Sequence, residues 1–245
     1  MEHLLTGFDI EIATKLPDGK RDWTIYSPGV TCAVTMDHES VLKNRDPGVW
    51  YGTGKHGVTA AQMSPVEVRN LMDCIIDSAV GQTASRKIVT WNGLSFDFPV
   101  LLKEAGRYGD EIADTWKHIA IAHHIDLMYM VVSKAGHYLA LDKALKGAGL
   151  EGKTPGVDGA LAPEMWKEGK YAEVIEYCVQ DVKQTLLLAD WVNKNKKIAW
   201  TSGAGNLTGV QFPNGLLTVY ECMSIRGPDE PLVDRTAAMR WMEEI

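Results

Sequence analysis

The sequence predicts an α/β fold in which a mixed β-sheet is flanked by helices. Two observations predict it: three strand-like segments follow one another in the first 60 residues, and the remaining chain alternates helical and strand-like segments. Strands joined by turns pair antiparallel, whereas strands separated by helices pair parallel, so a sheet that holds both kinds is mixed. The length of 245 residues and the 45% hydrophobic content suffice for one sizeable core.

The N-terminal segments alternate apolar and polar residues, which is typical of strands. They read LLTGFDIEIAT, GVTCAVTM and VWYGT, with an LPDGK turn after the first. A helix follows Ser64, because Ser64 is a natural N-cap, Pro65 suits the first helical position and Glu67 completes a capping box.

The later segments alternate in type. In order they are a strand KIVTW, a helix ending at Gly106, a helix DEIADTWKHIAIA, a strand HHIDL, a helix over 127–150, a loop GKTPGVDG, a helix from about Lys170 to Val192, a strand GLLTVYECM and a helical tail RTAAMRWMEEI. This order fits a ribonuclease H-like mixed five-stranded sheet over residues 1–195. Residues 196–245 are predicted to form a C-terminal extension packed on the same domain.

The bulk properties exclude some classes of protein. The sequence has no apolar run long enough to span a membrane and no basic-then-apolar leader, and its four scattered cysteines lack a CxxC pair. We therefore expect a cytoplasmic protein with reduced thiols and no membrane association. The formal net charge of −7 argues against a surface that coats duplex DNA, but an enzyme that grips a few nucleotides in a cleft can be acidic.

The first strand carries two acids among apolar residues. Asp9 and Glu11 point to the same face, because residues i and i+2 of a strand do so, and their like charges repel. A half-exposed edge strand with a wet polar face would explain the pattern. A divalent cation held between the two carboxylates would explain it equally well, since hard cations take oxygen ligands.

Two further segments carry acids that favour the metal hypothesis. Asp97 follows the turn at Asn92 and Gly93 and begins a helix, where it could also simply interact with the helix dipole. Tyr177 and Asp181 are four residues apart and so share one face of the late helix, which could also be only a solvated face.

Together the three segments form an ordered pattern: Asp-x-Glu on a strand, Asn-x4-Asp at a turn, and Tyr-x3-Asp on a helix. The intervals are 86 residues from Glu11 to Asp97 and 84 from Asp97 to Asp181. In this pattern the chain resembles the DEDD superfamily of 3′–5′ exonucleases, in the branch with tyrosine in the last motif. The segments HIDLM, LDKALKGAGL and YCVQDVKQTLLL most resemble exonucleases related to the proofreading domain of family-B DNA polymerases. The resemblance spans residues 4–195.

The resemblance implies a set of site residues. The four metal-binding carboxylates would be Asp9, Glu11, Asp97 and Asp181, holding two Mg²⁺ or Mn²⁺ ions. Tyr177 would orient the attacking water. Four other residues are expected to contact the substrate: Ile10, Ile12, Asn92 and Phe96. Ile12 departs from the family, which usually has Thr or Ser there, although Thr14 follows on the same predicted strand face.

The expected activity is therefore metal-dependent release of mononucleotides from the 3′ end of single-stranded DNA. The motifs do not distinguish DNA from RNA, so a 3′–5′ exoribonuclease is one alternative. A non-catalytic nucleic-acid-binding accessory module is the other. The sequence shows no polymerase domain, so a protein with a proofreading role would need a separate polymerase or repair partner.

Overall fold

The computed structural model describes residues 4–16, 27–54, 57–81, 85–106, 110–152 and 159–244. The predicted LPDGK turn and GKTPGVDG loop lie for the most part outside these described residues.

The described strands form one mixed five-stranded sheet and one two-stranded hairpin. Their bounds are β1 Leu5–Ile12, β2 Val30–Asp37, β3 Gly48–Tyr51, β4 Lys87–Thr90, β5 His124–Asp126, β6 Lys197–Thr201 and β7 Leu207–Gln211. The order in the large sheet is β3-β2-β1-β4-β5, with β1 antiparallel to β2 and parallel to β4. The predicted ribonuclease H-like mixed sheet is therefore confirmed.

The helices flank this sheet, and several match the predicted segments closely. Their bounds are α1 His38–Leu42, α2 Pro65–Val80, α3 Asp97–Glu104, α4 Asp110–Ala122, α5 Leu127–Ala135, α6 Leu141–Gly147, α7 Ala162–Lys167, α8 Tyr171–Asn195, α9 Val219–Met223 and α10 Trp241–Glu244, with short 3₁₀ helices at Gly93–Ser95 and Arg235–Met239. The predicted capping box is present at the start of α2, where the Ser64 hydroxyl accepts from Glu67 N–H and the Glu67 carboxylate accepts from Ser64 N–H.

Strand β1 lies at the centre of the sheet, with different elements on its two faces. Phe8 packs edge-on against Phe98 of α3, with ring centroids 5.4 Å apart, and Phe98 stacks at 4.6 Å on the buried Trp116 of α4. On the opposite face, a Cβ added at Gly7 would lie 2.9 Å from Leu186 Cγ of α8. The missing side chain thus lets α8 approach the strand face that carries Asp9 and Glu11.

Two predicted elements are wrong. The single helix over 127–150 is two helices, because the chain turns at Gly136, which has φ +71° and ends α5. The predicted strand GLLTVYECM is instead a turn followed by α9. There Thr218 accepts from Glu221 N–H and Glu221 accepts from Thr218 N–H, a capping box that outweighs the local strand propensity of the segment.

The C-terminal residues pack on the rest of the chain through buried groups. The Trp241 indole N–H donates to the carbonyl of Leu94 at 2.8 Å, and Lys117 Nζ donates to the carbonyl of Met242 at 2.8 Å. Strand β6 packs on α6, where Gly147 approaches the backbone of Ala199. The domain boundary at residue 195 stays a prediction.

We expect Gly147→Ala to lower the free energy of unfolding by about 1–3 kcal/mol, because overpacking forces the backbone to shift. The new Cβ would lie 2.1 Å from the carbonyl oxygen of Ala199 and 2.5 Å from Trp200 Cα, both backbone atoms. Urea unfolding measures the effect. Gly203→Ala is the matched control, since a Cβ there meets no described atom within 4 Å. Equal stability of the two variants would contradict the close packing of β6 on α6.

No helix among the described residues is both long enough and apolar enough to cross a membrane.

Candidate metal centre

The two acids of β1 lie beneath α8. Glu11 is buried and Asp9 is half-buried, although each carries a carboxylate. One carboxylate oxygen of each lies within 4.8 Å of the other and of the Cys178 thiol on α8. The acids therefore do not lie on the solvated face of an edge strand, which was one of the two explanations of the sequence pattern.

Asp97 joins these acids because of where β4 ends. Strand β4 pairs with β1 only as far as Gly7, and the chain then turns at Asn92 into α3. The first residue of α3 is Asp97, whose Oδ1 accepts a hydrogen bond from Ile10 N–H at 3.2 Å. The Asp97 carboxylate thus takes a place beside β1 beyond the end of β4.

The electrostatics of Asp97 reflect this crowding. Burial raises the pKa of Asp97 well above its ordinary value, and the charge of Asp9 raises it further. The hydrogen bond from Ile10 N–H opposes that increase only in part. A buried carboxyl group that feels the charge of another carboxylate favours a cation nearby, because the cation reverses the sign of the interaction.

The turn that positions Asp97 is fixed by Asp126, at the end of β5. Oδ1 of Asp126 accepts from the backbone N–H groups of Asn92, Met128 and Tyr129 at 2.9–3.0 Å, and Oδ2 accepts from Leu94 N–H at 2.9 Å. Burial raises the pKa of Asp126, and the four hydrogen bonds partly offset this effect. The carboxylate caps α5 and ties the β4–α3 turn to it.

Helix α8 supplies the remaining predicted residues. Tyr177 and Asp181 both line a groove of about 350 Å³ along this helix, together with Glu173, Glu176 and Gln180. Tyr177 is largely buried, and a Cβ added at Gly159 would lie 3.4 Å from its hydroxyl. Asp181 follows Cys178 by three residues, so the two share one side of the helix.

Cys178 is the site residue that the sequence interpretation missed. Its Sγ lies 3.5 Å from both Oδ2 and the backbone oxygen of Asp9. Burial raises the pKa of this thiol well above its ordinary value, and contact with the Cys32 thiol and the charge of Asp9 raise it further. Its spacing of three residues from Asp181 was the available signal, since residues i and i+3 of a helix lie on neighbouring positions of one side. All four cysteines are free thiols, and three of them, Cys32, Cys178 and Cys222, are buried.

The four predicted substrate contacts have different surroundings. The Ile10 side chain is buried in the core, so only its backbone could face a ligand, whereas Ile12 and Phe96 are half-buried against the core. The Asn92 side chain accepts from Ser95 Oγ at 2.5 Å within its turn, and its φ is +71°. The four contacts with substrate stay predictions.

The predicted position of Thr14 on the same strand face as Ile12 requires a longer strand. Strand β1 ends at Ile12, with an irregular register between Glu11 and Ile12, so Thr14 lies beyond the strand. The expectation that Thr14 continues the same strand face is therefore wrong.

The donor set suits divalent cations. Carboxylate oxygens from β1, together with a third carboxylate at the N-terminus of α3, are the ligands that Mg²⁺ and Mn²⁺ prefer. Burial raises the pKa of Asp97, and the charge of Asp9 raises it further, which a bound cation would counteract. The residues present therefore fit a metal centre.

A family model for predicted 3′–5′ exonucleases related to the exonuclease domain of PolB matches residues 69–194, just over half of the chain. The chain belongs to this exonuclease family. Among curated proteins, none matches the chain. The matched residues include Asp97, Tyr177 and Asp181, while Asp9 and Glu11 precede the matched region. Family membership supports nuclease activity on a nucleic acid.

Proposed function

We propose that this exonuclease removes nucleotides from the 3′ end of single-stranded DNA, using two divalent ions held by Asp9, Glu11, Asp97 and Asp181. The observation that carries the proposal is that buried and half-buried acids from β1 and α3 lie at the same strand in a member of this family. Asp9 and Glu11 lie together on β1, and Asp97 reaches the same strand through Ile10 N–H.

The burial of these acids favours a bound cation. Glu11 and Asp97 are only 6% and 2% exposed, and burying a carboxylate beside another costs stability unless a cation compensates. When bound, two ions would lower the pKa of a water molecule and stabilise negative charge on the leaving oxygen. The protein's own contribution is to hold the carboxylates in place. For Asp97, the hydrogen bond from Ile10 N–H does so directly, and the hydrogen bonds of Asp126 to the preceding turn do so indirectly.

The groove along α8 provides room for a substrate beside Asp181, one of the four proposed ligands. Its volume of about 350 Å³ lies within the range of small-molecule pockets, and it reaches both Tyr177 and Asp181. Glu173 and Glu176 also line it, so the approach of a phosphodiester depends on bound cations to offset their charge. We infer that the 3′-terminal nucleotide enters from this side.

Digestion of matched DNA and RNA strands tests the proposal. We expect stepwise shortening of single-stranded DNA in Mg²⁺ or Mn²⁺, with slower shortening of RNA and none in the presence of a chelator. Faster digestion of RNA would assign the protein as an exoribonuclease. Tight binding of both strands without any turnover in either metal would instead favour a non-catalytic binding module.

We expect Tyr177→Phe to slow hydrolysis about 10- to 150-fold without abolishing it. The phenol is too weak a base at neutral pH, so its expected role is to hold the attacking water by one hydrogen bond. Losing such a bond costs about 1.5–3 kcal/mol of transition-state stabilisation. The measurement is the single-turnover rate at saturating metal.

Tyr171→Phe is the matched control, because Tyr171 begins the same helix and packs its ring against Trp166 with centroids 4.8 Å apart. Its rate should match that of the wild type. An unchanged rate in Tyr177→Phe would show that Tyr177 serves only in packing.

A further inference from the structure

The Cys178 thiol lies among the proposed metal ligands, although an oxygen-only metal centre has no use for sulfur. Cys178 is completely buried, and its Sγ lies 3.5 Å from Oδ2 of Asp9. Its sulfur and one oxygen from each of Asp9 and Glu11 all lie within 4.8 Å of one another. Ligand atoms around one tetrahedral Zn²⁺ lie about 3.5 Å apart, so small side-chain movements would bring these three onto a single ion.

Sulfur changes which ion such a cluster prefers. Mg²⁺ takes oxygen ligands and gains nothing from a thiolate, whereas a thiolate strongly favours soft or borderline ions. Two carboxylates and one thiolate are a donor set that suits Zn²⁺ with a further position open to water or substrate. The other two proposed metal ligands, Asp97 and Asp181, need not take part.

We propose that Asp9, Glu11 and Cys178 form a binding site for a thiophilic divalent cation, Zn²⁺ or Cd²⁺, which competes with Mg²⁺ for the two carboxylates. On binding, the S–H bond of Cys178 breaks, its proton passes to the solvent buffer, and the sulfur electron pair binds the ion. The ion would thereby inhibit the nuclease, a consequence that rests on the proposed function, whereas the binding itself does not.

Titration of the metal-free full-length chain with Cd²⁺ tests the site, because a Cd²⁺–thiolate bond absorbs in the near ultraviolet. We expect about one equivalent of Cd²⁺ to produce this absorption in the wild type. Cys178→Ser should abolish it and reduce the preference for Cd²⁺ over Mg²⁺ at least about tenfold. Cys222→Ser is the matched control, since Cys222 is also completely buried but lies in α9, and it should retain the absorption.

Absence of the absorption in the wild type, or its persistence in Cys178→Ser, would overturn the proposal. Cys178→Ala, which adds no buried hydroxyl, repeats the test, and circular dichroism verifies that each variant is folded. X-ray absorption of the Zn²⁺-loaded wild type needs no variant: we expect sulfur at about 2.3 Å and oxygen at about 2.0–2.2 Å. A shell without sulfur would also overturn the proposal.

Competition is measured on the same sample. Adding Mg²⁺ to the Cd²⁺-loaded protein should reduce the thiolate absorption, and no reduction would show that the two ions do not share ligands. Because these readouts require no hydrolysis, they separate this site from the proposed function. A protein that binds Cd²⁺ as expected but digests no strand would retain the site and lose the nuclease assignment.

Discussion

Asp9→Ala is expected to reduce the rate of 3′-end hydrolysis at least about 10³-fold, a loss of about 4 kcal/mol of transition-state stabilisation. Asp9 is central to the proposed centre, since it lies beside Glu11 and its charge raises the pKa of Asp97. Removing its carboxylate removes a ligand that no neighbouring side chain can replace from its place on β1. Asp181→Ala should have a similar effect. The measurement is the single-turnover rate in saturating Mg²⁺ or Mn²⁺.

The same substitution has a second expected effect, on stability. Because Asp9 repels the buried Asp97, the metal-free Asp9→Ala protein should be as stable as the wild type or more stable, measured as the free energy of unfolding in chelator. Asp190→Ala is the matched control: Asp190 lies on α8 and pairs with Lys194, so its loss should leave the rate unchanged. A rate for Asp9→Ala within tenfold of the wild type would contradict the assignment of Asp9 as a metal ligand. A lower free energy of unfolding than the wild type in chelator would contradict the expected relief of repulsion.

Asp126→Ala is expected to lower the free energy of unfolding by about 3–5 kcal/mol, because several buried backbone N–H groups lose their acceptor and α5 loses its cap. Asp126→Asn should cost less, since the amide keeps one oxygen in the place of Oδ1. Chemical denaturation measures both values.

Asp126 also serves the site indirectly, so its loss should slow hydrolysis even where the variant remains folded. Without Asp126, the turn at Asn92 and Leu94 loses two backbone hydrogen bonds, and this turn leads directly into Asp97. Asp234→Ala is the control, because Asp234 also caps a short helix, through Thr236 N–H, but is exposed, and it should cost less than about 1 kcal/mol. Equal losses in the free energy of unfolding for Asp126→Ala and Asp234→Ala would show that the buried hydrogen bonds of Asp126 are not needed for stability.

The parts of the fold that follow local rules could be predicted from the sequence. Strand β1 alternates apolar and polar residues, α2 begins with a complete capping box, and α8 is a long periodic helix. These elements carry most of the predicted site, because Asp9 and Glu11 share a strand face and Tyr177 and Asp181 share a helix face. The family pattern supplied the link between them.

The parts that depend on tertiary packing could not be predicted in the same way. Cys178 reaches Asp9 only because Gly7 lets α8 lie close to β1, and no local pattern records that distance. The contact of Trp241 with Leu94 joins residues 147 positions apart, so it is equally invisible in a sequence window. The error at α9 is different, since Thr218 and Glu221 carry the capping-box spacing and should have outweighed the strand-like composition.

The most direct test of the central claim is digestion of one single-stranded oligonucleotide labelled either at its 5′ end or at its 3′ end. The account predicts that, in Mg²⁺ or Mn²⁺, the 3′ label is released at once as a mononucleotide while the 5′ label passes down a ladder of shortening strands. Asp9→Ala and chelator should each prevent both changes. Release of the 5′ label as a mononucleotide, cleavage within the strand, or shortening that persists in chelator would contradict a metal-dependent 3′–5′ exonuclease.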